Sequence, residues 1–126
     1  MTQHPMTVVL GASHKPDRYS YKALHKLQDH GLPAVGVHPK LSNFDGFSIY
    51  PSLTSAHAEV GPIDTVTVYV SADRSSALTQ ELIQIHPRRV IFNPGAENHL
   101  LETELKDAGI EVIEACTLVL LSTGQY

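Results

Sequence analysis

Short apolar runs alternate along this chain with amphipathic segments and polar turns. Met6 to Leu10 is an apolar run that ends in Gly11-Ala12-Ser13, and the polar stretch His14 to Ser20 behind it contains Pro16. That sequence predicts a strand followed by a loop. Tyr21, Leu24 and Leu27 then recur every third residue, Ala23 pairs with Leu27 one turn on, and Gly31 follows as a helix-ending residue. Ala34 to Val37 makes a second short strand, after which His38-Pro39-Lys40 opens an irregular segment containing Asn43, Asp45 and Gly46. Ser52 and Leu53 begin a short helix at best.

From Thr65 to Val70 every residue is β-branched or aromatic, the composition of a strand buried on both faces. Asp73 then starts a helix with Leu78, Leu82 and Ile85 on one face, stopped by Pro87. Val90 to Phe92 is the fourth predicted strand. Beyond Asn93-Pro94-Gly95, a helix from about Asn98 aligns Leu101, Leu105 and Ala108 and ends at Gly109, and Ile110 to Ile113 is the fifth strand. Leu118 to Leu121 is too short to reveal a period. We assign it a short closing helix, with a sixth strand as the other option.

Strands alternating with helices predict a Rossmann-like, three-layer α/β fold: a doubly wound parallel sheet of about five strands in one domain, residues 1–126. In such a sheet ligands bind outside the carboxyl ends of the strands where the strand order reverses, which the dinucleotide-binding order puts between strands one and four. Gly11 to Ser20 would then face Asn93 to Asn98, with the loop after strand two beside them.

Composition narrows the function classes. The 126 residues carry one cysteine, too few for an internal disulfide, and 42% are hydrophobic, enough for a core. Neither a secretion signal nor a membrane span is visible, so a cytoplasmic location is expected. The net charge of −4 argues against general nucleic-acid binding. It also hides an asymmetry: residues 11–40 carry five Lys or Arg against two acids, while the remainder carries four against eleven. A small anion held by the first segment fits that distribution.

The chemistry-bearing positions cluster on the same sheet edge. Gly11-Ala12-Ser13 begins a turn whose backbone amides, with a helix start, suit phosphate oxygens, although only Gly11 of the usual G-x-G-x-x-G fingerprint is present. A tight strand-to-helix turn explains Gly11 equally well. At the end of strand two an NAD site wants an acid, and this chain offers His38-Pro39-Lys40; a lysine there suits a ribose phosphate, as in NADP or the 3′-phosphate of coenzyme A, or stands simply as a solvated surface residue. Arg18 and Ser20 offer a charge and a hydroxyl ahead of the first helix. Asn98 fits a helix cap, and Glu97 fits a ribose or amide acceptor away from phosphates. Eight histidines show no four-residue pair that would put two imidazoles on one helical face, so no metal is expected. Nor does any nucleophile–base arrangement emerge, and Cys116 is either a small buried hydrophobe or a thiol near a ligand.

Taken in order, Gly11-Ala12-Ser13 with Pro16, Arg18-Tyr19-Ser20, His38-Pro39-Lys40, Tyr50-Pro51-Ser52-Leu53, Asp64-Thr65-Val66, Phe92 to Asn98 and Cys116-Thr117-Leu118 resemble the small stand-alone CoA-binding domain proteins. These are similar to the N-terminal domain of the succinyl-CoA synthetase α subunit. The resemblance covers nearly the whole chain. It implies CoA or an acyl-CoA along the strand ends, with the first loop near the phosphates, Pro39-Lys40 near the 3′-phosphate, Val70 and Ser71 beside the adenine, and Asn93, Pro94, Gly95 and Glu97 lining the arm towards the thiol. It also implies a binding module without catalytic residues, because the synthetase phosphohistidine sits on a further domain and this chain stops at Tyr126. An NADP-binding oxidoreductase or redox sensor is the alternative. A third reading gives Cys116 a covalent role towards CoA or an acyl group. The expected partner is a small nucleotide ligand, with no nucleic acid and no membrane; a homodimer or a separate protein partner is left open.

Overall fold

The computed structural model describes residues 5–126. Six parallel strands form the sheet: β1 (Thr7–Leu10), β2 (Ala34–Val37), β3 (Ile49–Tyr50), β4 (Thr65–Val68), β5 (Arg89–Phe92) and β6 (Glu111–Glu114), in the order β3-β2-β1-β4-β5-β6. The helices are α1 (Tyr19–Asp29), α2 (Leu53–Val60), α3 (Ala72–Ser76), α4 (Thr79–Ile85), α5 (His99–Asp107) and α6 (Thr117–Ser122). Among the described residues no helix is long and apolar enough to cross a membrane.

Alternation along the strands sorts the core into two layers. Val8, Leu10, Val66, Val68, Val90 and Phe92 point to one face, where Leu53, Leu82, Leu101 and Leu105 of α2, α4 and α5 cover them. Val9 and Ile49 point to the other, under Leu24 and Leu27 of α1 and Leu121 of α6. The closing segment 118–121 is therefore a helix, as favoured above.

Three features differ from the periodicity reading. Ile49–Tyr50 adds a sixth strand, too short to carry an alternation of its own; it pairs with Gly36 and Val37. The segment after Ser52 makes a full eight-residue helix, because Ser52 and Ser55 bond reciprocally as a capping box. The helix expected from Asp73 to Pro87 is two helices, α3 and α4, separated at Ala77-Leu78. There the Thr79 hydroxyl donates to the Ser76 carbonyl 2.9 Å away, the kind of side-chain competition that bends helices.

The extra strand also moves the reversal point. The strand beside β1 is Thr65–Val68, not Val90–Phe92, so the first loop meets residues 69–74 before it meets residues 94–96.

Candidate ligand-binding cleft

A cleft of about 770 Å³ opens at the carboxyl ends of β1, β2, β4 and β5. Four chain segments wall it. From the first loop come Gly11, Ala12, Ser13, His14 and Lys15, continuing into Arg18, Tyr19 and Ser20 at the start of α1. After β2 come His38 and Leu41, after β4 Tyr69, Val70, Ser71 and Arg74, and after β5 Pro94, Gly95 and Ala96.

The first loop offers donors, but of the three expected residues only Ser13 has its N–H free of a partner among the described residues. Gly11 and Ala12 both give their N–H groups to the Val37 carbonyl, at 3.0 and 3.2 Å, so neither can serve a ligand. Ser13 and His14 also line the cleft, and their N–H groups meet no acceptor among the described residues. The first turn of α1 adds to them, because its N-cap position is Arg18, whose side chain makes no capping bond. Those unbonded N–H groups and the positive end of the helix dipole suit an anion. Gly11 itself is required by the turn: its φ is +92°, and a Cβ there would stand 2.8 Å from Val70 Cγ1.

Charge is one-sided in this cleft. Lys15, Arg18 and Arg74 reach its wall with two histidines, and no Asp or Glu does. The His38 ring accepts the N–H groups of Lys40 and Leu41 at its Nδ1, both at 3.1 Å, and so holds the turn that follows β2. Farther along, the Asp45 carboxylate accepts from Tyr21 Oη at 2.9 Å and contacts His25 Nε2 at 3.0 Å, fastening residues 41–48 to α1. The Tyr69 ring lines the floor with its hydroxyl turned inward, and burial pushes that phenol up to about 12.

Other expected residues stand outside the wall. Pro39 and Lys40 are exposed next to His38, on the rim. Asn93 is buried: its amide nitrogen donates to Thr67 Oγ1 and the Val68 carbonyl, and its oxygen accepts from the Thr117 N–H. With every polar atom engaged, it shapes the loop rather than lining the cleft. Glu97 turns back to accept the Gly95 N–H at 2.9 Å, which closes the loop on itself. Cys116 is half-buried at the start of α6, beyond that loop and outside the wall.

Asn98 exceeds its expected capping role. Its oxygen accepts the Leu101 N–H at 3.2 Å, while its nitrogen donates to the Ala72 carbonyl and to the Ser75 and Ser76 hydroxyls. Five wall residues, His14, Lys15, Leu41, Tyr69 and Arg74, had no motif to announce them. A rule was nevertheless available: the loop after every strand at the reversal point borders the crevice, and Arg74 lies six residues past the end of β4.

A family model described as "CoA binding domain" matches residues 6–122. The Bacillus subtilis (strain 168) protein YneT, described as uncharacterized, is 28% identical over 105 residues, covering 83% of this chain and 76% of that one. A crystal structure of an uncharacterized protein superposes with a TM-score of 0.89 at 34% identity, over 99% of this chain and 100% of that one. The fold also recurs in the dinucleotide forming acetyl-coenzyme A synthetase 1 of Ca. Korarchaeum cryptofilum, solved in complex with phosphate and ADP. There the TM-score is 0.69 at 20% identity, over 87% of this chain and 25% of that one.

Proposed function

The chain belongs to the CoA binding domain family, and on that premise we propose that it binds coenzyme A or an acyl-CoA in the cleft at the strand ends, as a binding module that does not turn its ligand over. The observation that carries this reading is the wall itself: Lys15, Arg18 and Arg74 with no carboxylate among them. CoA carries a diphosphate and a 3′-phosphate, and a cleft of this charge attracts polyanions and repels cations.

The diphosphate lies against the Ser13-His14 N–H groups and the first turn of α1, within reach of Arg18 and Arg74. Val70 and Ser71 flank the adenine. Lys40, on the rim beside His38, meets the 3′-phosphate as a flexible point charge. Pro94, Gly95 and Ala96 border the arm that leads to the thiol.

Thermal unfolding with CoA, 3′-dephospho-CoA, NADP and NAD in parallel tests this proposal. CoA at 100 times its dissociation constant adds about 2.7 kcal/mol, a rise of several degrees, and 3′-dephospho-CoA gives less. A rise with NADP alone, or with none of the four, overturns the proposal.

A further inference from the structure

Away from the cleft wall, three side chains from two elements converge. His99 and Glu102 lie three residues apart at the start of α5, and Glu114 ends β6. One potential ligand atom from each lies within 4.8 Å of the other two, and His99 Nε2 is 3.2 Å from Glu114 Oε2. We propose that His99, Glu102 and Glu114 bind a divalent transition-metal ion of the Zn²⁺ class.

Glu102 supplies the second, independent observation. It is only 7% exposed, an unusual place for a carboxylate. One oxygen, Oε2, accepts the Asn98 N–H at 3.0 Å; the other takes no hydrogen bond from any described residue. Neither Glu102 nor Glu114 is paired with a Lys or Arg among the described residues. Two carboxylates brought together with one of them buried repel each other, a repulsion that either a shared proton or a cation between them relieves.

The spacing suits an ion. Tetrahedral coordination with bonds of roughly 2.1 Å places ligand atoms about 3.4 Å apart, close to the His99–Glu114 separation, and small side-chain rotations bring Glu102 into the same range. One imidazole nitrogen with two carboxylate oxygens fits Zn²⁺, Co²⁺ or Mn²⁺. Mg²⁺ and Ca²⁺ prefer oxygen alone. The Asn98 N–H fixes the direction of the Glu102 carboxylate, as outer partners of metal ligands do. His99 is 84% exposed on its side chain, so solvent completes the coordination from outside. A bound ion would fasten the end of β6 to the first turn of α5, directly after the loop whose Pro94, Gly95 and Ala96 border the cleft.

Zn²⁺ titration in competition with a chromophoric chelator tests the site, using wild type, Glu114→Gln, His99→Gln and a control, His30→Gln. Glu114 and His99 are exposed, and unfolding of each metal-free variant verifies that it is folded. The expected result is one tight Zn²⁺ per chain, weakened about tenfold or more by each cluster substitution and unchanged by His30→Gln. Tight binding retained in both cluster variants assigns the ion to other histidines and overturns the proposal. So does a wild type without binding up to roughly millimolar Zn²⁺.

Discussion

Asn93 donates its side-chain amide to the Thr67 hydroxyl 2.7 Å away, bridging from the end of β5 to β4. The same amide reaches the Val68 carbonyl at 2.9 Å and accepts the Thr117 N–H at 2.9 Å, so one side chain holds β4, β5 and α6 together beneath the cleft. Replacement by alanine orphans the buried Thr117 N–H, while the Thr67 hydroxyl keeps Thr117 Oγ1 and the Val68 carbonyl keeps the backbone N–H of residue 93. Asn93→Ala should lower stability by about 2–4 kcal/mol in urea denaturation, because one orphaned buried N–H costs about 1–3 kcal/mol and the hydrogen bonds lost to Thr67 and Val68 about 0.5–1.5 kcal/mol each. A loss below about 1 kcal/mol would contradict this bridging role.

Gly36 sits where β2 passes under the first loop. A Cβ there would stand 2.6 Å from Ile49 Cδ1 and 2.7 Å from Ala12 Cβ; the isoleucine tip can turn, but the alanine moves only with its backbone. Gly36→Ala should therefore cost about 1–3 kcal/mol of stability and shift the cleft wall at Ala12. Denaturation and ligand titration on the same variant check both effects.

Acid sensitivity should centre on Asp64. Arg88 holds that carboxyl below its ordinary value of 3.8 through contacts of 2.7 and 3.0 Å, with a smaller contribution from the Thr65 hydroxyl. A folded-state pKa below the unfolded one adds stability above the unfolded value, and that stability is lost as pH falls through the folded value. Arg88→Gln should thus be less stable than wild type near neutral pH and converge with it as pH falls through the lowered folded value of Asp64. A gap between the two that stays constant down to the acid limit would remove the ion pair as its source.

Two cations should separate by ligand. Lys40→Gln should weaken CoA about tenfold, the lower end for a charged hydrogen bond on an exposed side chain, and leave 3′-dephospho-CoA unaffected. Arg74→Gln should weaken both alike. Calorimetric titration distinguishes these patterns, and equal losses for both ligands in Lys40→Gln would move the 3′-phosphate elsewhere.

The layered fold was legible because its signals were periodic and local. Thr7 to Leu10 is a short apolar run, threonine and valine alternate along β4, Leu24 and Leu27 mark the buried stripe of α1, and Gly31 and Gly109 follow helix ends. Ile49–Tyr50 stayed hidden since a two-residue strand has no period and is defined only by its pairing with Gly36 and Val37. That one omission shifted the strand count, so strand order alone pointed to Val90–Phe92 beside β1, and the segment of Val70 and Ser71 came only with the family resemblance. The family resemblance put Asn93 on the arm towards the thiol, and nothing local to the sequence contradicts that. Only the fold shows Thr67, Val68 and Thr117 already engaging it. The His99–Glu102–Glu114 cluster was equally invisible to a search for histidine pairs, as its third member comes from another element.

Backbone amide resonances of the ¹⁵N-labelled protein, followed during titration with CoA, test the central claim most directly. The account predicts shifts concentrated at residues 13–20, 69–74 and 95–96, with the amides of Ser13, His14 and the first turn of α1 among the largest. Shifts confined to the opposite edge of the sheet, around His30, Arg88 and Tyr126, or no shifts at saturating CoA, would contradict it.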